Sequence, residues 1–269
     1  MVSTAFGVGS WSASEMKSAL TIAGSDPTGG AGFQADLKVF RAFGVHGLSV
    51  AAALTVQNTA GVKAVLPVEK DFFISQMDSL VEDIRPDALK TGMLYSNWAV
   101  EAIADRTKRY ALLNLVVDPV SVSSTGTILV DEGTLDRIRE LLFPVSRVIT
   151  PNIYEASVLT GMNIEDEGGM EEAAVRLKAM GPEVVVITGG HLKEVTLDLY
   201  YDGSGFHKME ASKIEGEYHG TGCAFSSAIA ASLALGHKPL ESVRRAKEFV
   251  TEAIRKSFRP GKGMGLLGL

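Results

Sequence analysis

The chain has 269 residues, of which 46% are hydrophobic and 22% are charged. Its 26 Lys and Arg residues against 32 Asp and Glu residues give a formal net charge of −6. Since no block of like charges interrupts the sequence, we expect neither nucleic-acid binding nor a polybasic membrane patch. Cys223 is the single cysteine. It excludes an intramolecular disulfide and a cysteine-rich metal site, and it indicates a reducing compartment such as the cytoplasm.

The distribution of apolar stretches and linkers indicates how the chain is divided into domains. The richest apolar stretches, residues 47–56 and 223–235, are shorter than the ~20 residues that a membrane-spanning helix needs. Residues 1–17 contain no basic residue before position 17 and therefore predict no signal peptide. We expect them to be a disordered extension or a remnant of cloning. Residues 18–269 show no repeat and no Pro- or Ser-rich linker, and they predict a single domain.

Short apolar runs alternate with helical patterns along most of the chain. The runs are continuously apolar, which is typical of a mostly parallel sheet that helices cover on both faces. Right-handed crossovers bring the carboxyl ends of such strands to one edge, where ligands bind. The predicted strands are residues 19–23, 47–55, 88–91, 114–118, 147–150 and 183–188, and the predicted helices are residues 32–43, 70–82, 97–109, 135–143, 153–160 and 170–180.

The pattern changes after residue 188. Residues 196–201 and 206–211 flank an Asp-Gly-Ser-Gly sequence, which predicts a β-hairpin. Helices are predicted at residues 220–235 and 239–256, and the chain ends in the glycine-rich sequence GKGMGLLGL.

A glycine-rich segment, GSDPTGGAG at residues 24–32, lies between the first predicted strand and the first predicted helix. Glycines let the backbone approach a ligand closely, and a helix N-terminus offers free N–H donors. The spacing is neither the GxGxxG dinucleotide pattern nor a P-loop. The segment predicts a ligand contact, and a simple turn that requires positive φ is the alternative.

A carboxylate lies in the helix that follows this segment. Phe33, Leu37 and Phe40 recur at helical spacing and predict the buried face. Asp36 lies within or beside that apolar stripe, where a carboxylate needs a partner. We expect Asp36 to point into a ligand pocket, and a bond to the glycine-rich segment is the alternative.

A second glycine turn, YHGTGC at residues 218–223, runs into a helix rich in small residues. Successive N–H groups at Gly220, Thr221 and Gly222 predict an anion cradle that the helix dipole strengthens. Cys223 stands at the helix start, where the pKa of a thiol is expected to fall below its usual ~8.5. An ordinary buried cysteine is the alternative.

Polar residues follow three other predicted strands. Asp118, Asn152 with Glu155, and Thr188 with Gly190 are expected to converge on one edge of the sheet. Two acids with Asn and Thr oxygens suit Mg²⁺. The same residue types also start turns and cap helices, which is the alternative.

Taken together, these segments resemble the hydroxymethylpyrimidine/phosphomethylpyrimidine kinases, a family of the ribokinase-like superfamily. The resemblance extends from about residue 19 to residue 265. Its most specific parts are the sequences LTIAGSDPTGGAGFQADLKVF, VQNT at residues 56–59, KTGML at residues 90–94, and HGTGC. The first and last of these together carry the resemblance.

The resemblance implies a three-layer αβα sandwich and a kinase that uses ATP and Mg²⁺. Its substrates would be 4-amino-5-hydroxymethyl-2-methylpyrimidine and then the corresponding monophosphate, in thiamine biosynthesis, and the protein would be a homodimer. In the family pattern, Asp36 and Gln57 match residues that bond the aminopyrimidine. Gly24 and Met93 match residues that line its pocket.

The resemblance also implies roles for the phosphate side. The turn of Gly220, Thr221 and Gly222 matches the anion hole for the transferred phosphoryl group, and Cys223 matches the candidate base. The family pattern places metal-binding residues at Glu155 and Asp118, and it places residues near ATP phosphates at Asn152, Thr188 and Gly190.

Two positions depart from the family pattern. Ser124 and Thr188 stand where family members usually have lysines, which weakens charge neutralisation near the phosphates and puts the second phosphorylation in doubt. A pyridoxine or pyridoxal kinase on the same fold is one alternative function. A pyrimidine or nucleotide sensor without catalytic activity is another.

Overall fold

The computed structural model describes residues 16–123, 126–189 and 195–269. The strands are β1 Ser18–Gly24, β2 His46–Asn58, β3 Gly61–Pro67, β4 Ala88–Thr91, β5 Leu115–Val117, β6 Val148–Ile149, β7 Val184–Gly189, β8 Val195–Tyr201, β9 Phe206–Ser212, β10 Tyr218–His219 and β11 Gly265–Leu266. The helices are α1 Gly32–Ala42, α2 Lys70–Asp83, α3 Asn97–Arg109, α4 Thr134–Arg137, α5 Ile153–Thr160, α6 Glu167–Lys178, α7 Thr221–Ala234 and α8 Pro239–Arg255.

Nine strands form the central sheet, in the order β3-β2-β1-β4-β5-β6-β7-β8-β9. The six strands from β2 to β7 in this order run parallel. The outer strands β3, β8 and β9 are antiparallel to their neighbours. The predicted parallel core and the hairpin after residue 188 are both confirmed. All carboxyl ends of the parallel strands therefore lie on one edge of the sheet.

Each face of the sheet buries its own helical layer. On one face Leu20 and Ile22 of β1 pack in a cluster with residues of α2, α3, α5 and α6. On the other face Ala19 packs with residues of α1, α7 and α8. The alternation arises because successive side chains of a strand point to opposite faces. The predicted three-layer αβα sandwich is confirmed.

Besides the short strands β10 and β11, three parts of the fold differ from the sequence prediction. Strand β3 was not predicted, because its residues are mostly half-buried or exposed and show no continuous apolar run. The helix predicted at residues 135–143 divides into α4, a π-helical turn Ile138–Leu142 and a 3₁₀ turn Phe143–Val145 that contains Pro144. Helix α6 begins at Glu167 rather than 170, since the side chain of Asp166 caps it by accepting from Gly169 N–H.

The predicted extension at residues 1–17 falls mostly outside the described residues. Lys17 is described, and it is attached to the sheet. Its carbonyl oxygen accepts from His46 N–H at 2.8 Å, and its Nζ lies 2.8 Å from Asp87 Oδ1. Within the described part of the chain, no helix is both long and apolar enough to cross a membrane.

Candidate active site

The two glycine turns lie against each other at the carboxyl edge of the sheet. A Cβ at Gly220 would overlap the carbonyl oxygen of Gly30. At Gly32, where φ is 61°, a Cβ would lie 2.6 Å from the carbonyl oxygen of Gly24. Gly220 is therefore needed for the close approach of the two segments, and Gly32 for the tight turn within the first one; both have left-handed backbone angles. Gly32 has the positive φ that the alternative interpretation, a simple turn, requires. The structure also brings the two predicted binding segments into contact.

Asp26 organises the first glycine turn, and sequence reasoning missed it. Its carboxylate accepts from Thr28 N–H at 2.9 Å, from Thr28 Oγ1 at 2.8 Å and from Ala31 N–H at 2.8 Å. Its Oδ2 also lies 2.9 Å from Nε2 of His219. Burial alone would raise the pKa of Asp26, but the bonds from His219 and Thr28 hold it below its usual value. The signal in the sequence was an Asp followed two residues later by Thr, which is typical of a side-chain-stabilised turn.

Gln57 is connected to this turn through His219. Nε2 of His219 lies 3.0 Å from the Gln57 side-chain nitrogen as well as 2.9 Å from Asp26. A single ring nitrogen cannot donate to Asp26 and accept from Gln57 at once. Both contacts are satisfied if the ring carries its hydrogen on Nε2 and the Gln57 amide is turned, because Nε2–H then donates to Asp26 and to the Gln57 amide oxygen. The amide nitrogen then donates to Oγ1 of Thr55, whose own proton goes to the carbonyl oxygen of Ser25 at 2.9 Å.

Gln57 and His219 line a small cavity of about 10 Å³ beside the glycine turns. Gly24 and Met93 lie nearby in mutual contact, since Gly24 N–H donates to the Met93 carbonyl at 3.0 Å and a Cβ at Gly24 would overlap the Met93 side chain. Met93 belongs to a small buried cluster against which Val62 packs, and Val62 also lines the cavity. The complete lining is Gln57, Asn58, Thr59, Gly61, Val62, Ser123, His219 and Met264.

Asp36 does not face this cavity, contrary to the sequence prediction. The buried face of α1 consists of Ala35, Asp36, Val39 and Phe40, so the helix is turned relative to the predicted stripe and points its carboxylate into the core. Both Asp36 and Lys90 are completely buried, with Nζ 3.0 Å from Oδ2.

Two hydroxyl groups complete the surroundings of Asp36. Thr21 Oγ1 donates to Oδ2 at 2.6 Å, and Ser227 Oγ donates to Oδ1 at 2.7 Å. Nζ of Lys90 lies within 3.1 Å of both carboxylate oxygens. With these four contacts the carboxylate has no acceptor site left for a ring amine. None of these partners belongs to the glycine-rich segment, so the alternative of a bond from Asp36 to that segment is wrong as well.

Lys90 is the second residue that sequence reasoning missed as part of the site. It lies in β4 among apolar neighbours, and a lysine in a buried strand signals a carboxylate partner. Burial alone would lower its pKa, but the charges of Asp36, Cys223 and Asp118 raise it above the usual value.

The thiol of Cys223 differs from the sequence prediction. The residue is partly exposed, yet burial of the thiol raises its pKa to about 12, with the Asp36 and Asp118 carboxylates adding to the rise. Lys90 and a bond from Gly32 N–H act in the opposite direction and are outweighed. The expected lowering of the pKa is therefore wrong. The favourable effect of a helix N-terminus on a thiolate is smaller than the unfavourable effect of burial beside two carboxylates.

The start of α7 presents the predicted anion-binding backbone. Its first intrahelical bond runs from Ala224 N–H to the Gly220 carbonyl. The N–H groups of Thr221, Gly222 and Cys223 therefore precede the intrahelical ladder. Gly222 is exposed and Thr221 half-buried, so an anion can reach these donors.

Two buried acids lie at the adjacent strand ends. Burial raises the pKa of Asp118 to about 6 against the opposing charge of Lys90. Burial, and then the charge of Asp118, raise the pKa of Glu155 to about 8. Ser226 Oγ donates to Asp118 Oδ2 at 2.9 Å. Across the described residues no group of three or more His, Cys, Asp or Glu could hold a metal. Two carboxylates that repel each other nevertheless fit Mg²⁺, which takes few protein ligands and shares substrate phosphates.

Asn152 and Glu155 also form a capping box at the start of α5. Asn152 Oδ1 accepts from Glu155 N–H at 2.9 Å, and Glu155 Oε2 accepts from Asn152 N–H at 3.0 Å. The capping alternative therefore holds for both residues. Thr188 lies beside Asn152 and donates its N–H to the Pro151 carbonyl at 3.0 Å. Ser124 and Gly190 lie outside the described residues.

Comparison with known proteins shows the family to which the chain belongs. The sequence model of the family described as "Phosphomethylpyrimidine kinase" matches residues 26–268. The chain is 46% identical to the "Thiamine biosynthesis bifunctional protein ThiED" of Geobacter sulfurreducens over 92% of its own length and 51% of that protein, about half. It is 43% identical to the "Hydroxymethylpyrimidine/phosphomethylpyrimidine kinase" of Streptomyces coelicolor over 91% of both chains.

Solved structures of two kinds share the fold. An ADP complex of Bacillus subtilis pyridoxal kinase has a TM-score of 0.86 at 39% identity and covers 94% of this chain and 96% of that one. A phosphomethylpyrimidine kinase from Clostridium difficile has a TM-score of 0.79 at 40% identity and covers 88% of this chain and 99% of that one. The chain is a kinase of the ribokinase-like fold and belongs to the phosphomethylpyrimidine kinase family.

Proposed function

We propose that this protein transfers the terminal phosphoryl group of ATP to the hydroxymethyl group of 4-amino-5-hydroxymethyl-2-methylpyrimidine, and then to the monophosphate so formed. The observation that carries the proposal is the contact between the two glycine turns at Gly30 and Gly220. This contact sets the backbone N–H groups of α7 beside the cavity lined by Gln57 and His219. The names of the matched relatives support the choice of substrate.

The ring is assigned to the cavity side of the site. Gln57 supplies amide groups that match a ring nitrogen or an exocyclic amine, and Gly24 with Met93 forms the adjacent surface. Asp36 is assigned a supporting role beneath the site, because its carboxylate is already bonded to Lys90, Thr21 and Ser227.

The phosphates are assigned to the edge formed by α7, β5, β6 and β7. The N–H groups that follow Gly220 would stabilise the transferred phosphoryl group, which is the main contribution a protein makes to this reaction. Asn152 and Thr188 would lie along the ATP phosphates. Asp118 and Glu155 would hold Mg²⁺, which neutralises phosphate charge when bound.

Cys223 is assigned to the hydroxyl group that receives the phosphate. A thiol whose pKa is about 12 is protonated near neutral pH, so it hydrogen-bonds to the hydroxyl and positions it rather than taking its proton. The hydroxyl proton passes to a phosphoryl oxygen as the new O–P bond forms and the bond to the leaving ADP breaks. The backbone donors and the charge around the phosphates then carry most of the rate.

A panel of alcohols tests the proposal. ATP consumption is measured with the aminopyrimidine alcohol, its monophosphate, pyridoxine and pyridoxal, each with and without Mg²⁺. We expect turnover with both pyrimidines and at least tenfold lower kcat/KM with the pyridines, since a site that hydrogen-bonds an amine rejects an analogue lacking it. A preference for pyridoxal would refute the proposed substrate and favour a pyridoxal kinase, the activity named for the similar B. subtilis structure. Absence of turnover with all four would favour a sensor.

The second phosphorylation has its own test. Thr188, at a position where family members usually have a lysine, is half-buried beside Asn152 and carries a hydroxyl but no charge. We therefore expect kcat/KM for the monophosphate to rise in Thr188→Lys while that for the alcohol changes less. No difference between the two substrates would remove Thr188 from the phosphate path.

Homodimer formation is part of the proposal and is assigned to the outer face of the β2–β3 hairpin. Leu54, Val56 and Leu66 are 49%, 59% and 66% exposed, and Leu54 and Leu66 are direct cross-strand partners. Adjacent exposed apolar residues are typical of an interface. Light scattering of the wild type and of Leu66→Glu tests this, and we expect a dimer that the substitution converts to a monomer. A monomeric wild type would refute the assignment.

A further inference from the structure

The glycine-rich C-terminal tail lies against the wall of the cavity, although the proposed reaction assigns it no role. Strand β11 pairs in parallel with β10, with Gly265 opposite Tyr218 and Leu266 opposite His219. Gly265 N–H donates to the Glu217 carbonyl at 3.0 Å. The tail therefore holds the short strand that carries His219.

The same tail binds the tip of the β2–β3 hairpin. Met264 N–H donates to the Thr59 carbonyl at 3.0 Å, and Gly263 N–H donates to Thr59 Oγ1 at 3.2 Å. A Cβ at Gly263 would overlap the Thr59 carbonyl oxygen, and one at Gly261 would overlap Thr59 Oγ1. Neither glycine has a positive φ. They are glycines because the tail and the hairpin approach too closely for a side chain.

A third contact joins the tail to the first glycine turn. A Cβ at Gly30 would lie 2.6 Å from Cδ2 of Leu266, and Leu266 is buried. Leu266 is fixed in turn by two backbone bonds to Phe258, at 2.9 Å and 3.0 Å. One short segment thus contacts the hairpin that carries Gln57, the strand that carries His219 and the turn that carries Asp26.

Met264 extends from this segment into the cavity lining, together with Gln57, Val62 and His219. The wall combines apolar surface from Met264 and Val62 with polar groups from Gln57 and His219. The chemistry of that combination suits a planar heteroaromatic ring, whose faces are apolar and whose edge carries nitrogen, and the ring would displace flexible lining side chains such as Met264 on entering. A thioether is flexible and polarisable, so it adapts well to the face or edge of such a ring.

We propose that Met264 contacts the substrate ring and helps to determine its specificity, and that Gly261 and Gly263 position it by letting the tail bind Thr59. This inference rests on the proposed function, because it takes the cavity as the ring site. It adds a binding residue and a positioning segment that the glycine turns and the phosphate side do not include.

The experiment compares Met264→Ala, Met264→Leu and Gly263→Ala, with Gly205→Ala as the matched control. A Cβ at Gly205 would meet nothing within 4 Å. The Kd of the aminopyrimidine alcohol is measured by calorimetry without ATP. KM for this alcohol and KM for ATP are measured by ATP consumption. Thermal unfolding shows whether each variant is folded.

We expect Met264→Ala and Gly263→Ala to raise the Kd and KM of the pyrimidine on the order of tenfold, the usual effect of lost apolar contact with a ligand. KM for ATP should stay within about twofold, and Gly205→Ala should resemble the wild type. Met264→Leu should lie between Met264→Ala and the wild type, because Leu keeps most of the apolar volume but lacks the thioether. A purely structural tail would lower the melting temperature and leave both KM values unchanged.

Unchanged pyrimidine Kd and KM in folded Met264→Ala would overturn the inference while leaving the proposed function intact. If Gly263→Ala does not fold, the two Met264 variants still decide the question. A wild type that binds the pyrimidine but does not phosphorylate it would refute the proposed function alone, since the Kd comparison still tests Met264. A wild type that binds no pyrimidine would overturn both.

Discussion

Nζ of Lys90 lies 3.0 Å from Oδ2 of Asp36, and neither side chain has any exposed surface. The pair joins β4 to α1, and Thr21 on β1 and Ser227 on α7 bond to the same carboxylate. Four elements that surround the two glycine turns are therefore fixed by one buried carboxylate. A buried pair of this kind adds little net stability over well-packed apolar residues, but removal of one partner leaves an uncompensated buried charge.

Breaking this pair is expected to be costly. Asp36→Ala leaves the Lys90 ammonium buried without its counterion, and such changes lower the free energy of unfolding by about 3–5 kcal/mol. Urea denaturation measures the change. Glu172→Ala, which breaks the exposed pair with Arg176, is the control and should cost less than about 0.5 kcal/mol. Asp36→Leu combined with Lys90→Met should be more stable than Asp36→Ala. Equal stability of Asp36→Ala and wild type would show that the pair does not support the fold.

The fold was largely predictable because its signals are local. Continuous apolar runs gave the parallel strands, and their carboxyl ends are the edge that carries the site. Strand β3 was missed because a half-exposed edge strand lacks such a run. The tail strand β11 was missed because two residues of pairing with β10 leave no periodic pattern.

The site was predictable in its segments but not in its partners. The position of Asp36 in a helix could be read from spacing, yet its partner Lys90 lies 54 residues away. The same limit applies to Cys223, whose position at the start of a helix was predicted correctly. Its raised pKa arises from burial and from Asp36 and Asp118, which only the folded chain brings near the thiol.

The reactivity of Cys223 gives a direct test of its pKa. Since only a thiolate is alkylated, a thiol whose pKa is about 12 should react slowly with iodoacetamide at pH 7–9 and faster as the pH rises towards 11. Mass spectrometry follows the reaction, with the urea-unfolded chain as the control, whose thiol should react with a pKa of about 8.5. Rapid alkylation of the folded protein at pH 7 would contradict the raised pKa.

The catalytic contribution of Cys223 is expected to be modest. In Cys223→Ala the backbone N–H groups of α7 remain in place, and a protonated thiol contributes only its bond to the substrate hydroxyl. We expect kcat to fall by less than about tenfold, as for loss of a single neutral hydrogen bond. A loss of about 10²–10⁴ would instead show that the thiol acts as a general base. Cys223→Ser, which keeps a hydrogen-bonding group, should lie between Cys223→Ala and the wild type.

Binding of Mg²⁺ is expected to release a proton from the acid pair. Burial and Asp118 raise the pKa of Glu155 to about 8, so Glu155 is largely protonated at pH 7, whereas a metal requires the carboxylate. Affinity for Mg²⁺ in the presence of a non-hydrolysable ATP analogue should therefore increase from pH 6 to pH 8 and level off above it. Calorimetry in two buffers of different ionisation enthalpy counts the proton, and Glu155→Gln should abolish its release. Affinity that does not change with pH would remove Glu155 from the metal site.

The same acid makes stability depend on pH in the metal-free protein. The pKa of Glu155 is about 8 in the folded chain against about 4.3 when unfolded, so between these values the folded state binds more protons. The free energy of unfolding therefore decreases as the pH rises from about 4.3 to 8, and the contribution of Glu155 is fully present only below that range. Urea denaturation at pH 5, 6, 7 and 8 should show wild-type stability falling relative to Glu155→Gln, which does not titrate and keeps a side-chain oxygen for the Asn152 N–H. Parallel curves for the two proteins would mean that the pKa of Glu155 is not raised by folding.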